Sequence, residues 1–94
     1  MIKHHFSAGI YMREQTLAAG HGVDTHAHAY DHLSILSSGS AAVETNGHIE
    51  TYVAPAVIEI KAGIHHRITA LSDIVWICAH ATSETDIAIL EKEL

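Results

Sequence analysis

The chain has 94 residues, enough for one small domain, and 17% of them are charged, below the roughly 25% of ordinary globular domains. The formal net charge at pH 7 is −6, and the five Lys and Arg residues are scattered along the sequence. No basic stripe exists to neutralise phosphates, so nucleic acid and anionic membrane surfaces are poor partners. A surface with so few charges is suited to burial against a second subunit, and we expect a homodimer.

The single cysteine, Cys78, excludes an intrachain disulfide and suits a reducing compartment. The longest apolar runs fall far short of the ~20 residues that a membrane-spanning helix needs. The N-terminal residues also lack the basic start and apolar core of a signal peptide. These features lead us to expect a soluble, cytoplasmic protein that does not associate with membranes.

Apolar and polar residues alternate along most of the chain, with turn residues at short intervals, as is typical of short β-strands. The predicted strands cover residues 11–17, 23–28, 31–38, 41–45, 48–53, 56–60, 65–71 and 74–81. Asn46-Gly47 separates two of them and is the strongest short hairpin signal, because a type I′ turn needs positive φ at both central residues.

The C-terminal residues follow a different pattern. Residues 83–86 offer a hydroxyl cap and acidic side chains, and Ile87, Leu90 and Leu94 then recur at helical spacing. This predicts one short α-helix over about residues 83–94. Many short strands followed by one terminal helix predict an all-β barrel or jelly roll, in a single domain whose barrel spans about residues 8–82.

Ten histidines distinguish the composition, and several lie at spacings that suit a metal ion. His26 and His28 are two residues apart, so on a strand they share one face, with Cα atoms about 6.6 Å apart. Their rings can then converge on one ion at roughly 2.0–2.1 Å. His32 follows closely enough to return a third ring. A fourth ligand can come from His65 or His66, which must face opposite sides of a strand.

The sequence from Gly20 onward resembles the first motif of the cupin family, in which a Gly, a His-x-His pair, a further ligand and a second Gly follow at fixed spacing. The matching positions are Gly20, His26, His28, His32 and Gly39. Residues 61–66 are similar to the second motif, Pro-x-Gly-x-x-His, with Gly63 and His66 in place and Lys61 where the family has Pro. The later Asn of that motif is Ala70 here.

This resemblance implies a cupin jelly roll, also called a double-stranded β-helix, and it selects His66 over His65. The implied metal ligands are His26, His28, His32 and His66, and the implied cofactor is one divalent transition metal ion, namely Fe, Mn, Ni, Cu or Zn. Because four imidazoles add no negative charge, such an ion favours a small, bidentate, anionic substrate such as an enolate, diketone or catechol.

Related cupins with such sites include dioxygenases, so the resemblance implies metal-dependent oxygen chemistry on a small molecule. Two alternatives stay open, a metal-dependent isomerase or lyase and a non-catalytic cupin that binds a small ligand. An isomerase or lyase needs a positioned acid or base, for which Tyr30 and His80 are the main candidates. A barrel that has lost its metal is a further interpretation.

The last predicted strand carries candidate pocket residues. A three-residue turn at 71–73 would place Trp76, Cys78 and His80 on the side of the sheet that His66 occupies, and a two-residue turn would select the opposite face. Arg13 and Arg67 could hold a substrate carboxylate. The alternative for each is structural, with Trp76 in the core, Cys78 as an inert small side chain and both arginines solvated.

Overall fold

The computed structural model describes residues 1–24 and 30–93 of the chain. This part of the chain forms nine strands and one helix. They are β1 (Ile2–Ser7), β2 (Ile10–Leu17), β3 (Gly22–Asp24), β4 (His32–Ser38), β5 (Ser40–Thr45), β6 (His48–Val53), β7 (Ala56–Ile60), β8 (His66–Ala70), β9 (Ile74–Ala81) and α1 (Ile87–Glu93). The predicted all-β architecture with a short C-terminal helix is confirmed.

The strands form two antiparallel sheets, one of five strands in the order β1-β2-β9-β4-β7 and one of four in the order β3-β8-β5-β6. Five strands, β4, β5, β7, β8 and β9, bury alternate residues, and the two inner faces share one apolar core. Its buried members are Leu36, Ala41, Val43, Ile58, Ile60, Ile68, Ala70, Ile74 and Trp76. Because both sheets contribute to this cluster, they pack face to face as a jelly roll.

The turn residues in the sequence correctly predicted the turns between β5 and β6 and between β8 and β9. Asn46 and Gly47 have φ values of 50° and 79°, so the hairpin between β5 and β6 has the positive φ pair that a type I′ turn requires. Three residues, 71–73, link β8 to β9. This is the longer of the two turns that the sequence left open, and it directs Trp76 toward the interior.

The sequence did not predict β1. All six residues of this strand pair with β2, from Ile2 opposite Gln15 to Ser7 opposite Ile10. The five-stranded sheet therefore begins well before residue 8, where the barrel was expected to start. The turn between β1 and β2 also has two positive φ values, 52° at Ala8 and 73° at Gly9. Ala8 carries none of the turn preference of Asn or Asp, so the sequence signal was weak.

The helix starts later than predicted, at Ile87 instead of residue 83. The Asp86 carboxylate accepts a hydrogen bond from the Ala88 amide at 2.9 Å and so caps the helix in place of Ser83. The Glu84 carboxylate accepts hydrogen bonds from the amides of Thr85 and Asp86, which holds these residues in a turn. Across the described ranges, no helix has the length and apolar character needed to cross a membrane.

Candidate metal centre

Two of the predicted ligands, His32 and His66, are buried at the same end of the barrel. His32 is the first residue of β4 and is 6% exposed, and His66 is the first residue of β8 and is 4% exposed. Along β7, the residue paired with His32 is Ile60, the last of that strand. A loop of residues 61–65 leads from Ile60 to His66, so both histidines lie beside this loop.

The loop is fixed to the residues around the two histidines. The Ala62 amide donates a hydrogen bond to Asp31 Oδ1 at 2.7 Å, directly before His32. His66 Nδ1 lies 3.0 Å from the Ile64 carbonyl oxygen, to which it can only donate. In a neutral ring with its proton on Nδ1, Nε2 carries the lone pair that a metal ion requires.

His65, the last residue of the loop before β8, faces the other way. Its side chain is 62% exposed, and its Nε2 lies 4.0 Å from a carboxylate oxygen of Asp24. The difference in burial therefore separates the two histidines that spacing alone could not distinguish. The interior member of the pair is His66, the one that the resemblance selects.

His26 and His28 lie outside the described residues, as do the last residues of the strand predicted over 23–28. The described residues that flank 25–29 lie near the other two predicted ligands. Asp24, the last residue of β3, pairs with Arg67 beside His66. Tyr30 lies on the other side, with its ring centroid 6.5 Å from that of His32. Within residues 1–24 and 30–93, no three His, Cys, Asp or Glu side chains form a metal-binding group.

The two acid–base candidates, Tyr30 and His80, lie against each other. Their rings stack with centroids 4.3 Å apart and planes 12° from parallel. No spacing rule joins these residues, which are fifty positions apart and meet because β9 lies beside β4 in the sheet. Together with the edge-on contact between Tyr30 and His32, the stack places a phenol and an imidazole next to a predicted ligand.

The inward residues of β9 differ along the strand. Trp76 is 3% exposed and belongs to the apolar core, where it pairs with Leu36 of β4. Two residues further along, at the next inward pair, the Ser34 hydroxyl donates to Cys78 Sγ at 3.7 Å. Burial raises the pKa of the Cys78 thiol. The thiol is therefore neutral near pH 7, a state that disfavours nucleophilic chemistry and direct metal ligation.

The two arginines have different surroundings. Arg67 is half-exposed and donates to both carboxylate oxygens of Asp24 at 3.1 Å. Arg13 lies opposite Cys78 on the inner face of its sheet, with its side chain 19% exposed. Its Nε donates to Glu91 Oε1 at 3.0 Å, and its Nη1 donates to Gln15 Oε1 at 2.9 Å. Arg13 is therefore a partly buried, paired cation, whereas Arg67 is a surface one.

A cleft of about 220 Å³ opens beside His66. Its lining residues are Val43, Thr45, His48, Glu50, Tyr52, Ile58, Glu59, Lys61, Ile64 and His66. Three of these residues, His48, Glu50 and Tyr52, form a polar row on β6. Sequence reasoning did not group them, although their i, i+2, i+4 spacing is a visible signal. The Tyr52 hydroxyl donates to Glu50 at 2.8 Å, which lowers the pKa of Glu50 and raises that of Tyr52. Across the cleft, Glu59 lies 2.9 Å from Lys61 and raises its pKa.

Comparisons with known proteins define the fold. No family model and no curated protein matches the sequence. Among solved structures, a conserved protein of unknown function from Streptococcus pyogenes has a TM-score of 0.74 at 16% identity, over 90% of this chain and 75% of that one. A cupin superfamily protein from Desulfitobacterium hafniense has a TM-score of 0.73 at 15% identity, over 88% and 79% of the two chains.

A third neighbour is the cupin domain of a transcriptional regulator from Enterobacter cloacae, with a TM-score of 0.72 at 14% identity, over 84% of this chain and 92% of that one. The chain thus has the cupin-type jelly-roll fold, as the two sequence motifs implied. At these identities the neighbours show the fold alone, and this fold carries many functions.

Proposed function

We propose that this protein is a metal-dependent enzyme acting on a small molecule in the cytoplasm, with one divalent transition metal ion held by His26, His28, His32 and His66. The burial of His32 and His66 at one end of the barrel carries the proposal. The hydrogen bond from His66 to the Ile64 carbonyl supports it, because it fixes the ring in the tautomer that can bind a metal through Nε2. The lone cysteine suits the reducing cytoplasm.

The proposed substrate is a small bidentate anion such as an enolate, diketone or catechol, and the first proposed reaction is a dioxygenase-type oxidation. When bound, an Fe or Mn ion would supply Lewis-acid activation and access to O₂ chemistry. The four imidazoles carry no charge to offset the ion, so the site favours an anionic ligand. The cleft beside His66 has a volume of about 220 Å³ and provides a path to the site from solvent.

A specific observation favours a second candidate, a metal-dependent isomerase or lyase. Such an enzyme must move a proton at a defined position, and the stacked pair of Tyr30 and His80 supplies two groups able to hold one. The stack also restrains the orientation of both rings beside His32.

Metal binding is tested by comparing His66→Ala with His65→Ala. Substituting a residue that only hydrogen-bonds to a metal ligand typically lowers metal affinity 10–100-fold. Removing the proposed ligand His66 itself should therefore lower the affinity by about 100-fold or more. His65→Ala, the matched control at the exposed loop residue directly before His66, should bind as the wild type does. Titration with Zn²⁺ or Mn²⁺ and elemental analysis measure both. A wild-type protein that binds no transition metal, or equal binding by the two variants, would contradict the proposal.

The reaction is tested with the Fe²⁺- or Mn²⁺-loaded protein and a panel of diketones and catechols, with O₂ uptake as the readout. Uptake that depends on the substrate supports the oxygenase. Turnover under strict anaerobiosis instead supports the isomerase or lyase, and Tyr30→Phe or His80→Gln should then lower kcat by about 100-fold or more. If these two variants turn over normally, the stacked pair is not the acid–base device.

A further inference from the structure

A polar cluster lies on the inner face of β2, where Glu91 of α1 contacts Arg13. Tyr11, Arg13 and Gln15 occupy alternate positions of that strand and point to the same side. Tyr11 is fully buried, and its hydroxyl lies 2.7 Å from His4 Nδ1. The site described above uses none of these contacts.

One carboxylate oxygen of α1 enters this cluster. Glu91 Oε1 accepts the hydrogen bond from Arg13 Nε at 3.0 Å and lies 4.0 Å from His4 Nε2. A guanidinium and an imidazole thus converge on a single carboxylate. Arg13 is 19% exposed and held by Gln15, whereas Glu91 is 37% exposed.

We propose that Arg13 and His4 form a binding site for a small carboxylate, and that Glu91 occupies this site as an internal ligand. The planar, always charged guanidinium is the side chain best suited to carboxylate recognition. Arg13 belongs to a strand paired on both sides, by β1 and β9, so it is held in place. Glu91 belongs to a seven-residue helix and can rotate its exposed side chain into water. Arg13 therefore stays in the site, whereas the Glu91 side chain can leave it and make room for another carboxylate.

The carboxylate site at Arg13 lies close enough to the proposed metal centre to bind part of the same substrate. Arg13 lies opposite Cys78, and Cys78 lies opposite Ser34, two positions from His32 on the same strand. At ~4.8 Å per strand and ~6.6 Å per pair of residues, the Cα atoms of Arg13 and His32 are about 12 Å apart. A carboxylate on Arg13 could thus belong to the far end of a substrate that reaches the metal. This extension depends on the proposed function, whereas the carboxylate site does not.

Chemical rescue tests the site in chelator-treated, metal-free protein, so that its outcome is independent of the proposed metal centre. Glu91→Ala should lower the melting temperature, and sodium acetate should restore it by filling the site that the side chain has left. The rescue should saturate, with an apparent acetate affinity about tenfold or more above that of the wild type. Acetamide, which has no charge, should not replace acetate.

The matched control is Glu59→Ala, which removes the carboxylate from the exposed pair with Lys61. A solvated lysine should hold acetate poorly, so this variant should show no saturable rescue. Adding Arg13→Gln to Glu91→Ala should abolish the rescue. The proposal is overturned if Glu91→Ala responds to acetate no more than the wild type or Glu59→Ala does.

A separate observation concerns the outward face of the five-stranded sheet. Apolar side chains lie next to one another across four of its strands, and Leu33 and Val57 are 49% and 68% exposed. The members of this apolar face are Ile10, Met12, Leu33, Ile35, Val57, Val75, Ile77 and Ala79, placed in neighbouring positions by the strand register. Contiguous apolar surface of this kind marks an interaction site.

The size and charge of the apolar face fit a second copy of the chain. The four strands that carry the apolar face, at ~4.8 Å spacing and about 23 Å length, cover about 440 Å², and the whole sheet with the polar strand β1 covers about 550 Å². Two copies of the whole sheet would bury about 1,100 Å², above the ~1,000 Å² expected of a biological interface, with the apolar face as its core and β1 as part of its rim. The central strand is β9, so a two-fold axis along it would pack Ile77 near its own copy. It would also bring β1, with Lys3 and His5, toward Glu59 on the partner's β7.

We infer that this protein forms a homodimer through the apolar face. Leu33→Glu places a charge on it and should weaken the dimer by about 100-fold or more, measured by sedimentation over a range of concentrations. The matched control is Ile49→Glu, a 60% exposed residue of the four-stranded sheet, which should leave the dimer intact. A monomeric wild type, or dissociation by Ile49→Glu instead, would overturn the inference.

Discussion

The two ends of the barrel interior differ in chemistry although the same strands build both. On β4 the inward residues run from His32 to Leu36, on β8 from His66 to Ala70, and on β9 from His80 to Trp76. Each strand therefore carries a histidine at one end and an apolar residue at the other. The apolar end holds the sheets together, so the polar end can keep side chains that add little to stability.

The polar end also carries a cost that the apolar end avoids. Burying an imidazole or a hydroxyl requires a hydrogen-bond partner, such as the Ile64 carbonyl for His66. Such partners restore solvation energy but add little net stability. If this division is correct, substitutions at the two ends should differ sharply in their effect on the free energy of unfolding.

The largest effect is expected for Trp76→Ala at the apolar end. Truncating a 3% exposed tryptophan leaves a cavity and should lower the free energy of unfolding by about 3–5 kcal/mol. His80→Ala, on the same face of the same strand, should cost less than about 1.5 kcal/mol in metal-free protein. Urea unfolding measures both. Equal losses would show that the two ends do not differ in their contribution to stability.

Two glycines provide a second comparison. A Cβ added to Gly39, in the turn between β4 and β5, would clash with the Asp73 backbone oxygen, and the φ of Gly39 is +83°. Gly39→Ala should therefore lower the free energy of unfolding by about 3 kcal/mol or more. The neighbouring backbone must move to admit the methyl group, and the alanine must also adopt a strained left-handed conformation.

Gly63, in the loop before His66, has a similar φ of +74° but nothing within 4 Å of the added Cβ. Gly63→Ala should lower the free energy of unfolding by only about 1–2 kcal/mol, the cost of holding an alanine in the left-handed conformation. Thermal unfolding of the two variants separates crowding from conformation. A loss at Gly63 as large as that at Gly39 would mean that the loop beside the polar end is as tightly packed as the apolar end.

The smallest effect concerns pH. Because burial raises the pKa of Cys78 in the folded state above its ordinary value of 9.0, the folded protein holds this proton more tightly than the unfolded chain. Stability is then unaffected below about pH 8 and falls as the pH rises through 9, by at most about 1.4 kcal/mol per pH unit. Urea unfolding from pH 8 to 9.5 should show this slope in the wild type and a flatter one in Cys78→Ala. Identical slopes would place the thiol in a solvated environment.

The sequence predicted most of the fold because strand periodicity and turn chemistry are local. The strands at 56–60 and 74–81 have the predicted bounds, and Asn46-Gly47 formed its hairpin. β1 was missed because Ala8-Gly9 is a weak turn signal. The helix start was misplaced because a carboxylate, Asp86, caps it and the nearest hydroxyl does not.

The surroundings of the candidate site depended on contacts that no local pattern encodes. Arg13 and Glu91 are 78 positions apart, and Tyr30 and His80 meet only through the order of the strands. Local periodicity did separate His65 from His66, once the inward face of β8 was known. Pairs that form through topology therefore needed the three-dimensional structure.

The position of β9 has a consequence for how the chain is made. It is the last strand in sequence and the middle strand of the larger sheet, where it joins β2 to β4. During synthesis, the β1–β2 hairpin and the β4–β7 pair can form early but have no pairing with each other until residues 74–81 leave the ribosome. The larger sheet must then close in one late step, with its apolar inner faces exposed to chaperones until the final strand arrives.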